Sequence, residues 1–334
     1  MKKVWRKCIF FAKKRQENER INKEQPMSKG KKIILIVLGI LVAITAIVVG
    51  VGAKVYLDVS HSVKATYESV ERKQEATIRD KEVDLQKEEP FSVLLLGIDT
   101  GDLGRTDQGR SDTMMVAAVN PTDQKTTIVS IARDTYVPIV GHGTDDKINH
   151  AYAFGGAAMS MNTVESYLKT PIDHYVAINM AGLKELVDAV GGIEVGNETQ
   201  FTQDDYTFEH GKITLNGEQA LAYSRMRKED PNGDYGRQER QRSIVIGVVD
   251  KILTLDGITK YQEVLNAMEE NMKTDLTFDQ LKQIALNYRD AFKKVTTDQM
   301  QGDGFMQDGI SYQRVSDAER QRVEDELAEQ LDVK

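Results

Sequence analysis

Short runs of apolar residues alternate with stretches of helical periodicity through the middle of the chain. The apolar runs are residues 91–99, 113–120, 125–132 and 175–179. They are brief and lack a regular polar alternation, as expected of strands that are buried on both faces of a sheet. The helical stretches are residues 156–169, 179–190 and 215–225. Strands interleaved with helices in this way predict an α/β domain whose sheet is covered by helices on both faces.

The carboxyl-terminal part has a different pattern. Residues 243–253 continue a helix, residues 276–292 are amphipathic with a helical period, and residues 315–331 form a strongly charged helical stretch. We therefore predict that residues 255–334 form a helical part that packs on a core made by residues 90–254. A separate small domain is the alternative interpretation.

Near the amino terminus, residues 33–51 form an apolar run of nineteen residues without a charge. As a helix this run is roughly 29 Å long, about the thickness of one hydrocarbon core. Basic residues precede it, which predicts a transmembrane helix at residues 33–53, a cytoplasmic tail at residues 1–32 and an extracellular remainder. A cleaved signal peptide is the alternative, but the run exceeds the ~7–15 apolar residues of such a peptide.

Residues 54–89 are polar and mostly compatible with a helix, and Pro90 follows them. We interpret this segment as an extracellular stalk that separates the main domain from the membrane. Cys8, the only cysteine, lies on the cytoplasmic side of the predicted span, so disulfides cannot hold the exterior part together. Residues 54–334 are long enough to build a large core without cross-links.

Charge is distributed unevenly along the chain. The formal net charge is −8, but residues 1–32 carry twelve Lys and Arg against three Glu, a net charge of +9, which leaves −17 for the other 302 residues. This acidic balance argues against nucleic acid as the partner of the main body, because duplex binding requires broad neutralisation of phosphates.

A cluster of arginines is the local exception to this acidic balance. Its members, all within eighteen residues, are Arg225, Arg227, Arg237, Arg240 and Arg242. Because guanidinium groups form rigid planar forks that suit phosphate oxygens, the cluster indicates a compact, strongly charged anion as the ligand.

Helical spacing divides this cluster by direction. A helix that opens at Gly236 places Arg237 and Gln241 on one face, which continues with Ile244 and Val248. A face that begins polar and becomes apolar would aim its first donors into a pocket. The amino terminus of the helix also favours an anion there through its dipole.

The other four arginines are expected to differ in orientation. Arg225 and Arg227 close the preceding helix, and they point the same way if the chain is extended there. Arg240 and Arg242 are expected to lie mainly on the solvated side of the next helix, although Arg240 is only one position away from the buried face.

Charged residues also lie where the first predicted strands begin and end. Asp99 closes the first apolar run, and Arg110 and Asp112 lie just before the second. Carboxylates where buried strands open into loops are well placed to face a ligand crevice, and two of them can share a hard cation such as Mg²⁺. The alternative is that Asp99 caps a turn and the other acidic residues are simply solvated.

Further candidates follow the third predicted strand. Arg133 and Asp134 lie at its end, and they either face the same crevice or form a surface salt bridge. Additional candidates for the lining of the crevice are Lys147, Asn149 and Tyr152. Their spacing alone does not decide whether they line it.

Several other chemistries find no support in the sequence. The five histidines show no metal-ligand spacing, and there is no GxSxG, HExxH or Walker motif. The lone cysteine lies before the predicted membrane span and so provides no nucleophile for the main domain.

Seven motifs follow the predicted transmembrane helix in this order: LLLGID, GRSDTM, SIARDT, KINHAYAFGG, GLKELVDAVGGIEV, LNGEQALAYSRMR and GRQERQ. Each is weak alone, but the ordered series resembles the LytR–CpsA–Psr family over residues 90–254, and the later helices resemble that family's carboxyl-terminal part. The resemblance implies a three-layer α/β/α fold, with a central mixed sheet flanked by helices, preceded by one amino-terminal transmembrane helix.

The resemblance also implies an activity. The chain is expected to transfer an anionic or capsular glycopolymer from a polyprenyl-pyrophosphate carrier to peptidoglycan at the cell surface, forming a phosphodiester bond. The implied cofactor is Mg²⁺ or Mn²⁺. The implied partners are the carrier-linked glycopolymer, peptidoglycan and membrane lipid, with no nucleic acid among them.

The resemblance assigns site residues motif by motif. Asp99 and Asp112 match the metal-associated aspartates of the family, and Gln241 matches a glutamine near its pyrophosphate. The matches to its pyrophosphate-contacting arginines are Arg110, Arg133, Arg225, Arg227 and Arg237. The expected catalytic residues are Asp99, Arg110, Asp112 and Arg133.

Two other activities remain open. One is a polyprenyl-phosphate-binding regulator of the transcriptional-attenuator type that performs no turnover. The other is a hydrolase that releases the pyrophosphate to water. In each case the lipid tail needs a groove, for which residues 156–169, residues 180–190 and the apolar helix after Arg237 are candidates.

Overall fold

The computed structural model describes residues 13–14, 29–72, 78–79, 81–100, 109–227, 229–254 and 260–333, and the side chains of residues 29–44 and 46–48 lie outside that description. The chain divides into two compact units, residues 1–57 and residues 58–334. The second unit contains all of the predicted strands and all of the predicted site residues.

Helix α1 runs from Lys29 to Thr66 and includes the predicted transmembrane segment at residues 33–53. Most side chains of that segment lie outside the described residues, as does nearly all of the predicted cytoplasmic tail. Over the part of the chain that is described, no helix combines the length and the apolarity of a membrane crossing.

The second unit contains both strands and helices. The strands are β1 (Phe91–Ile98), β2 (Ser111–Asn120), β3 (Lys125–Ser130), β4 (Tyr136–Pro138), β5 (Asp145–Lys147), β6 (His174–Asn179), β7 (Ile193–Asn197), β8 (Phe201–Gln203), β9 (Tyr206–Phe208), β10 (Gly211–Leu215), β11 (Met272–Thr274), β12 (Val295–Gln299), β13 (Asp303–Gln307) and β14 (Ile310–Arg314). The helices are α2 (His150–Leu168), α3 (Met180–Ala189), α4 (Gly217–Arg225), α5 (Asp234–Leu253), α6 (Tyr261–Asn271), α7 (Phe278–Asn287) and α8 (Asp317–Gln330).

A six-stranded sheet forms the centre of the second unit, in the order β11-β6-β1-β2-β3-β12. Strand β1 is parallel to β6 and antiparallel to β2. Strand β3 is antiparallel to β2 and parallel to β12, and β11 is antiparallel to β6. The sheet is therefore mixed.

Helices cover both faces of this sheet. On one face, Val116 packs in a cluster with Met161 of α2 and Leu327 of α8. On the other face, its neighbour Met115 packs with Val245 of α5. Alternate residues of one strand enter different cores, which explains why the strands have no polar side. The predicted α/β fold, with a central mixed sheet flanked by helices, is confirmed.

A second core lies beside the sheet, enclosed by α3, α4, α5 and the short strands β7 to β10. It is built around Val187, Ile193, Phe201, Tyr223 and Ile244. The hydrophobic pattern does not predict these strands, because each has only three to five residues and β7 alternates between buried and exposed positions. Helix α5 contributes Ile244 to this second core and packs Val245 against the central sheet, so it has two buried sides.

The carboxyl-terminal part contains strands as well as helices. Helices α6, α7 and α8 lie in it, but β11 and β12 complete the two edges of the central sheet, and β13 pairs with β14 as a hairpin. The interpretation of residues 255–334 as helical missed these four strands. The edge strand β12 reads VTTDQ, which gives no apolar run to detect.

The segment interpreted as a stalk makes specific contacts within the second unit. The Arg72 side chain donates to the carbonyl of Ile172 at 2.6 Å, and Arg79 lies 2.7 Å from a carboxylate oxygen of Asp173. Leu85 is buried in a further apolar cluster. The stalk interpretation missed these contacts.

Candidate functional site

A cavity of about 150 Å³ opens at the carboxyl ends of the parallel strands β1 and β6. Its lining comprises Gly97, Ile98, Asp99, Asp112, Thr113, Ile178, Asn179, Met180, Leu183, Leu221, Ser224, Arg225, Arg237 and Gln241. Ligand sites in open α/β sheets commonly lie at this end of the strands. The cavity brings together five of the eight predicted site residues: Asp99, Asp112, Arg225, Arg237 and Gln241.

Asp99 is held in place by the backbone that returns to the sheet. Its backbone N–H donates to the carbonyl of Arg110 at 3.0 Å, and its Oδ1 accepts from the backbone N–H of Arg110 at 2.6 Å. Gly109 has φ +68°, and a Cβ there would lie 2.7 Å from the same Oδ1. Glycine is therefore required twice at this position, for its backbone conformation and for its closeness to the carboxylate.

Asp112 lies at a β-bulge. Gly97 is opposite Thr113 and Ile98 is opposite Ser111, so Asp112 has no partner on β1. A bulge re-aims the extra side chain, and bulges are common beside active sites. A Cβ on Gly97 would lie 2.9 Å from the Cβ of Thr113, so the close pairing next to the bulge also depends on glycine.

Two side chains orient the Asp112 carboxylate. Arg133 donates to Oδ2 at 2.5 Å, and the Asn149 side-chain amide donates to Oδ1 at 3.2 Å. Arg133 does not line the cavity itself, but it adjoins the cavity through Asp112. Its neighbour Asp134 accepts from Lys147 at 2.7 Å. The Arg133–Asp134 contact at 3.8 Å is thus one part of a charged network and not an isolated surface pair.

The opposite wall is helical and carries the arginine cluster. Arg225 is the last residue of α4; its guanidinium approaches the Met180 sulfur at 3.0 Å and an Asp204 carboxylate oxygen at 3.9 Å. Arg227 follows in the connection to α5, half-exposed and 3.8 Å from Asp234. Of these two arginines, only Arg225 lines the cavity.

Arg237 lies in the first turn of α5 and is 7 % exposed. It forms an ion pair with Asp234 at 2.6 Å, while its Nε is buried without a hydrogen-bond partner among the described residues. Burial lowers the pKa of this guanidinium, Asp234 opposes that change, and the nearby charge of Arg133 lowers the pKa further. The charged form is therefore under-compensated, which favours the binding of an anion. Gln241 lines the cavity one turn later, as its shared helical face predicted.

The remaining wall is apolar. Ile98 and Ile178 from the sheet, with Leu183 of α3 and Leu221 of α4, line the cavity beside the charged groups. The site is therefore amphiphilic, with carboxylates and arginines next to hydrocarbon.

The prediction that Arg240 and Arg242 face water is wrong. They are 8 % and 6 % exposed. Arg240 binds the turn before α5, and Arg242 binds Ser130 and Gln299 at the edge of the sheet. The reason is the two-sided burial of α5, in which Ile244 belongs to one core and Val245 packs against another.

Comparison with known proteins assigns the chain to a family. The LytR_cpsA_psr family model matches residues 54–329. The chain belongs to the LytR–CpsA–Psr family. Polyisoprenyl-teichoic acid–peptidoglycan teichoic acid transferase TagU of Enterococcus faecalis is 63 % identical over 308 residues, which cover 92 % of this chain and all of that relative.

Solved structures agree with this membership. The crystal structure of Bacillus subtilis TagU has a TM-score of 0.60 and 41 % identity, covering 74 % of this chain and 98 % of that one. A structure of TagT bound to LIIa-WTA has a TM-score of 0.66 and 31 % identity, covering 79 % of this chain and all of that one. The LytR–CpsA–Psr resemblance drawn from the ordered motifs is confirmed.

The eight residues that the family resemblance assigned are not equivalent in position. Arg133 contacts the Asp112 carboxylate but does not line the cavity. Arg110 has an exposed side chain outside the cavity lining, and only its backbone contacts Asp99. Arg227 is half-exposed and lies outside the cavity lining. Their roles remain predictions. Asn149 was only an open candidate in the sequence, and the structure places its amide on Asp112.

The metal assignment remains a prediction. Among the residues that the structure describes, no group of three or more His, Cys, Asp or Glu side chains could hold a metal ion. Asp99 and Asp112 nevertheless line the same cavity. Mg²⁺ is commonly bound by one or two carboxylates together with water and substrate phosphates. The pair therefore fits a cation that is completed by a phosphate ligand.

Proposed function

We propose that this chain transfers a teichoic-acid-type glycopolymer from a polyprenyl-pyrophosphate carrier to peptidoglycan. The observation that carries the proposal is the amphiphilic cavity, in which arginines and carboxylates lie beside an apolar wall. A polyprenyl pyrophosphate has the same division between a charged group and a hydrocarbon chain. The names of the relatives, which specify teichoic acid, a polyisoprenyl carrier and peptidoglycan, support the same substrates.

The pyrophosphate is expected to lie between the two charged walls. Arg225 and Arg237 line the cavity from α4 and α5, and Arg237 has a buried Nε available to an acceptor. Cleavage of a pyrophosphate builds negative charge on the bridging and leaving oxygens. Arginines held in place before the reaction stabilise that charge without reorganisation, and one such arginine can be worth about 10³–10⁵ in rate.

Asp99 and Asp112 are proposed to hold Mg²⁺ or Mn²⁺ against the diphosphate. When bound, such an ion neutralises charge on the phosphate oxygens. The hydrogen bond that Arg133 donates to Asp112, at 2.5 Å, holds that carboxylate in a fixed orientation. Excess chelator should therefore abolish transfer, and added Mg²⁺ should restore it.

The apolar wall is proposed to receive the first part of the lipid. Leu183 and Leu221 lie on helices that border the cavity. Burial of hydrocarbon stabilises binding by about 0.8 kcal/mol for each CH₂ group. A short-chain carrier should therefore bind more weakly than a longer one until the groove is filled.

The reaction is a phosphoryl transfer to a sugar hydroxyl. The acceptor oxygen forms a bond to the polymer-bearing phosphorus, the bond from that phosphorus to the bridging oxygen breaks, and polyprenyl phosphate leaves. The hydroxyl proton leaves to a base. The product is a phosphodiester between peptidoglycan and the polymer.

The test is product analysis with purified full-length protein, carrier-linked polymer and a peptidoglycan acceptor. Mass spectrometry should detect the phosphodiester-linked product only when the acceptor is present. Release of polymer phosphate at the same rate without acceptor would favour the hydrolase. Binding of the carrier without any product would favour the regulator.

We infer in addition that the chain is anchored by residues 33–53, with the catalytic part outside the cell membrane. The apolar run and the +9 charge of residues 1–32 support this topology. Protease added to wall-less cells should degrade the catalytic part and spare an amino-terminal fragment. Recovery of a soluble mature protein that begins near Lys54 would contradict the anchor.

A further inference from the structure

Arg240 lies on α5 between two residues of the site, Arg237 and Gln241, yet it is not part of the cavity lining. Its side chain is 9 % exposed and points into the connection between α4 and α5. A buried guanidinium is costly unless its donors are satisfied. Its partners therefore indicate what it does.

All three nitrogens of Arg240 bind the segment that carries the site arginines. Nε donates to the carbonyl of Tyr223 at 3.2 Å, and Nη2 donates to the carbonyl of Met226 at 2.6 Å. These two carbonyls flank Arg225 in the chain. Carbonyls at a helix end have no partner within the helix, and a cation there is also favoured by the helix dipole. Arg240 thus fixes the end of α4 where Arg225 lies.

The third nitrogen of Arg240 reaches across the connection. Nη1 donates to Oδ2 of Asp230 at 2.5 Å, while Oδ1 of Asp230 accepts from the backbone N–H of Asn232 at 2.7 Å. The carboxylate also rests on Gly236, where a Cβ would come within 1.9 Å of Oδ2. The connection that contains Arg227 is therefore bound to Arg240 of α5 at Met226, where it begins, and at Asp230, near its middle.

Aromatic rings support the same guanidinium. Its central carbon lies 5.3 Å from the ring centroid of Phe201 and 5.9 Å from that of Tyr223. Cations are attracted to the faces of aromatic rings at such distances. The aromatic rings of the second core therefore position the Arg240 guanidinium, which in turn binds the connection between α4 and α5.

We propose that Arg240 is a positioning residue for the pyrophosphate: through Asp230 and the carbonyls of Tyr223 and Met226, it sets Arg225 and Arg227 against Arg237. The proposal rests on the pyrophosphate-binding function of this cavity. Lysine keeps the charge but has a single nitrogen on a flexible stem, so it cannot bind three acceptors in fixed directions.

Arg242 provides a matched control. It lies on the same helix with 6 % exposure, but its guanidinium binds the Ser130 hydroxyl at 2.8 Å and the Gln299 side chain at 3.2 Å. Both partners belong to the sheet. Arg242→Lys disturbs a buried arginine of the same helix without touching the connection between α4 and α5.

The experiment measures binding of farnesyl pyrophosphate to full-length protein by calorimetry. Arg240→Lys should weaken binding about tenfold or more, whereas Arg242→Lys should change it less than about threefold. In a background where Arg225 and Arg227 are both Ala, Arg240→Lys should cost less than about twofold further, because the groups that it positions are gone. A merely structural residue would cost the same factor in both backgrounds, and that result would overturn the proposal.

A second variant covers the case in which Arg240→Lys does not fold. Gly236→Ala leaves Arg240 intact but displaces the Asp230 carboxylate, so it should weaken farnesyl pyrophosphate binding by a similar factor. Wild-type affinity in folded Gly236→Ala would overturn the proposal, as would an absence of binding by the wild type. If the wild type binds farnesyl pyrophosphate and Arg240→Lys weakens that binding as expected, but no polymer is transferred, only the proposed function would be overturned.

Discussion

Two cavities of the second unit differ in size and in chemistry, and the smaller one has the properties of a site. The larger, about 540 Å³, lies at the amino end of β6 and has Arg72, Arg79 and Lys81 in its lining. The smaller, about 150 Å³, lies at the carboxyl end of the same strand. Both contain arginines and carboxylates, so size and charge alone do not distinguish them.

One difference lies in the hydrogen-bond partners of Arg72 and Arg237. In the larger cavity, Arg72 donates from all three nitrogens to Asn162, the Ile172 carbonyl and Glu165. In the smaller cavity, Arg237 forms one ion pair with Asp234, and its buried Nε has no hydrogen-bond partner among the described residues. An unsatisfied buried donor costs about 1–3 kcal/mol. At Arg237 this donor is available to a ligand in the cavity, whereas the hydrogen bonds of Arg72 support the structure.

The largest predicted effect is at Asp112. Asp112→Asn removes the charge that would hold the metal and the nearer of the two carboxylates that contact Arg133. We expect transfer activity to fall by about 10³-fold or more with the fold intact, since both the metal and an arginine are affected. Transfer kinetics and circular dichroism are the measurements. Asp123→Asn, an exposed carboxylate, is the control, and equal losses in both variants would contradict the assignment.

Arg237→Lys is expected to cause the second-largest loss of transfer activity. Lysine retains one positive charge but loses the planar fork and the Nε donor, so we expect transfer to fall by about 10²-fold. The same change at Arg242, which is equally buried on the same helix, should leave transfer within about threefold of the wild type. If both variants lose activity equally, burial and not ligand contact would explain the loss.

Arg227→Lys should have a smaller effect. Its side chain is 50 % exposed and lies outside the cavity lining, so solvent already screens its charge. We expect a loss of less than about tenfold, mainly as weaker carrier binding. Calorimetry with farnesyl pyrophosphate measures this directly. A loss as large as that of Arg237→Lys would place Arg227 in direct contact with the pyrophosphate.

The smallest effect on activity is expected in the larger cavity. Arg79→Lys weakens the contact with Asp173, which also accepts from the Ser92 backbone. We expect a lower melting temperature with transfer within about twofold of the wild type, because this pair supports structure. A thermal melt and a transfer assay on the same preparation measure both. Loss of transfer at an unchanged melting temperature would assign the larger cavity a role in catalysis.

The sequence predicted those parts of the fold and site that follow a local period. Buried strands appear as continuous apolar runs, and Arg237 and Gln241 share one helical face, so both could be predicted. The bulge at Asp112 depends on the register between β1 and β2, which no local pattern records. The helical period places Arg240 and Arg242 on the solvent side, because it does not reveal that a second core covers the other side of the helix.

Short polar strands are the other feature of the fold that the hydrophobic pattern does not predict. Strand β12 closes one edge of the central sheet with the residues VTTDQ, and its assignment depends on pairing with β3. The contacts of Arg72 and Arg79 likewise depend on partners nearly one hundred positions away in the chain. Such long-range contacts are set by tertiary structure, and a single sequence contains no local signal for them.

The most direct test of the comparison is a crystal structure of the full-length protein with a polyprenyl pyrophosphate bound. We predict that the diphosphate lies within hydrogen-bonding distance of Arg225 and Arg237, with its lipid against Leu183 and Leu221. A diphosphate bound instead between Arg79 and Lys81 in the larger cavity would contradict the account.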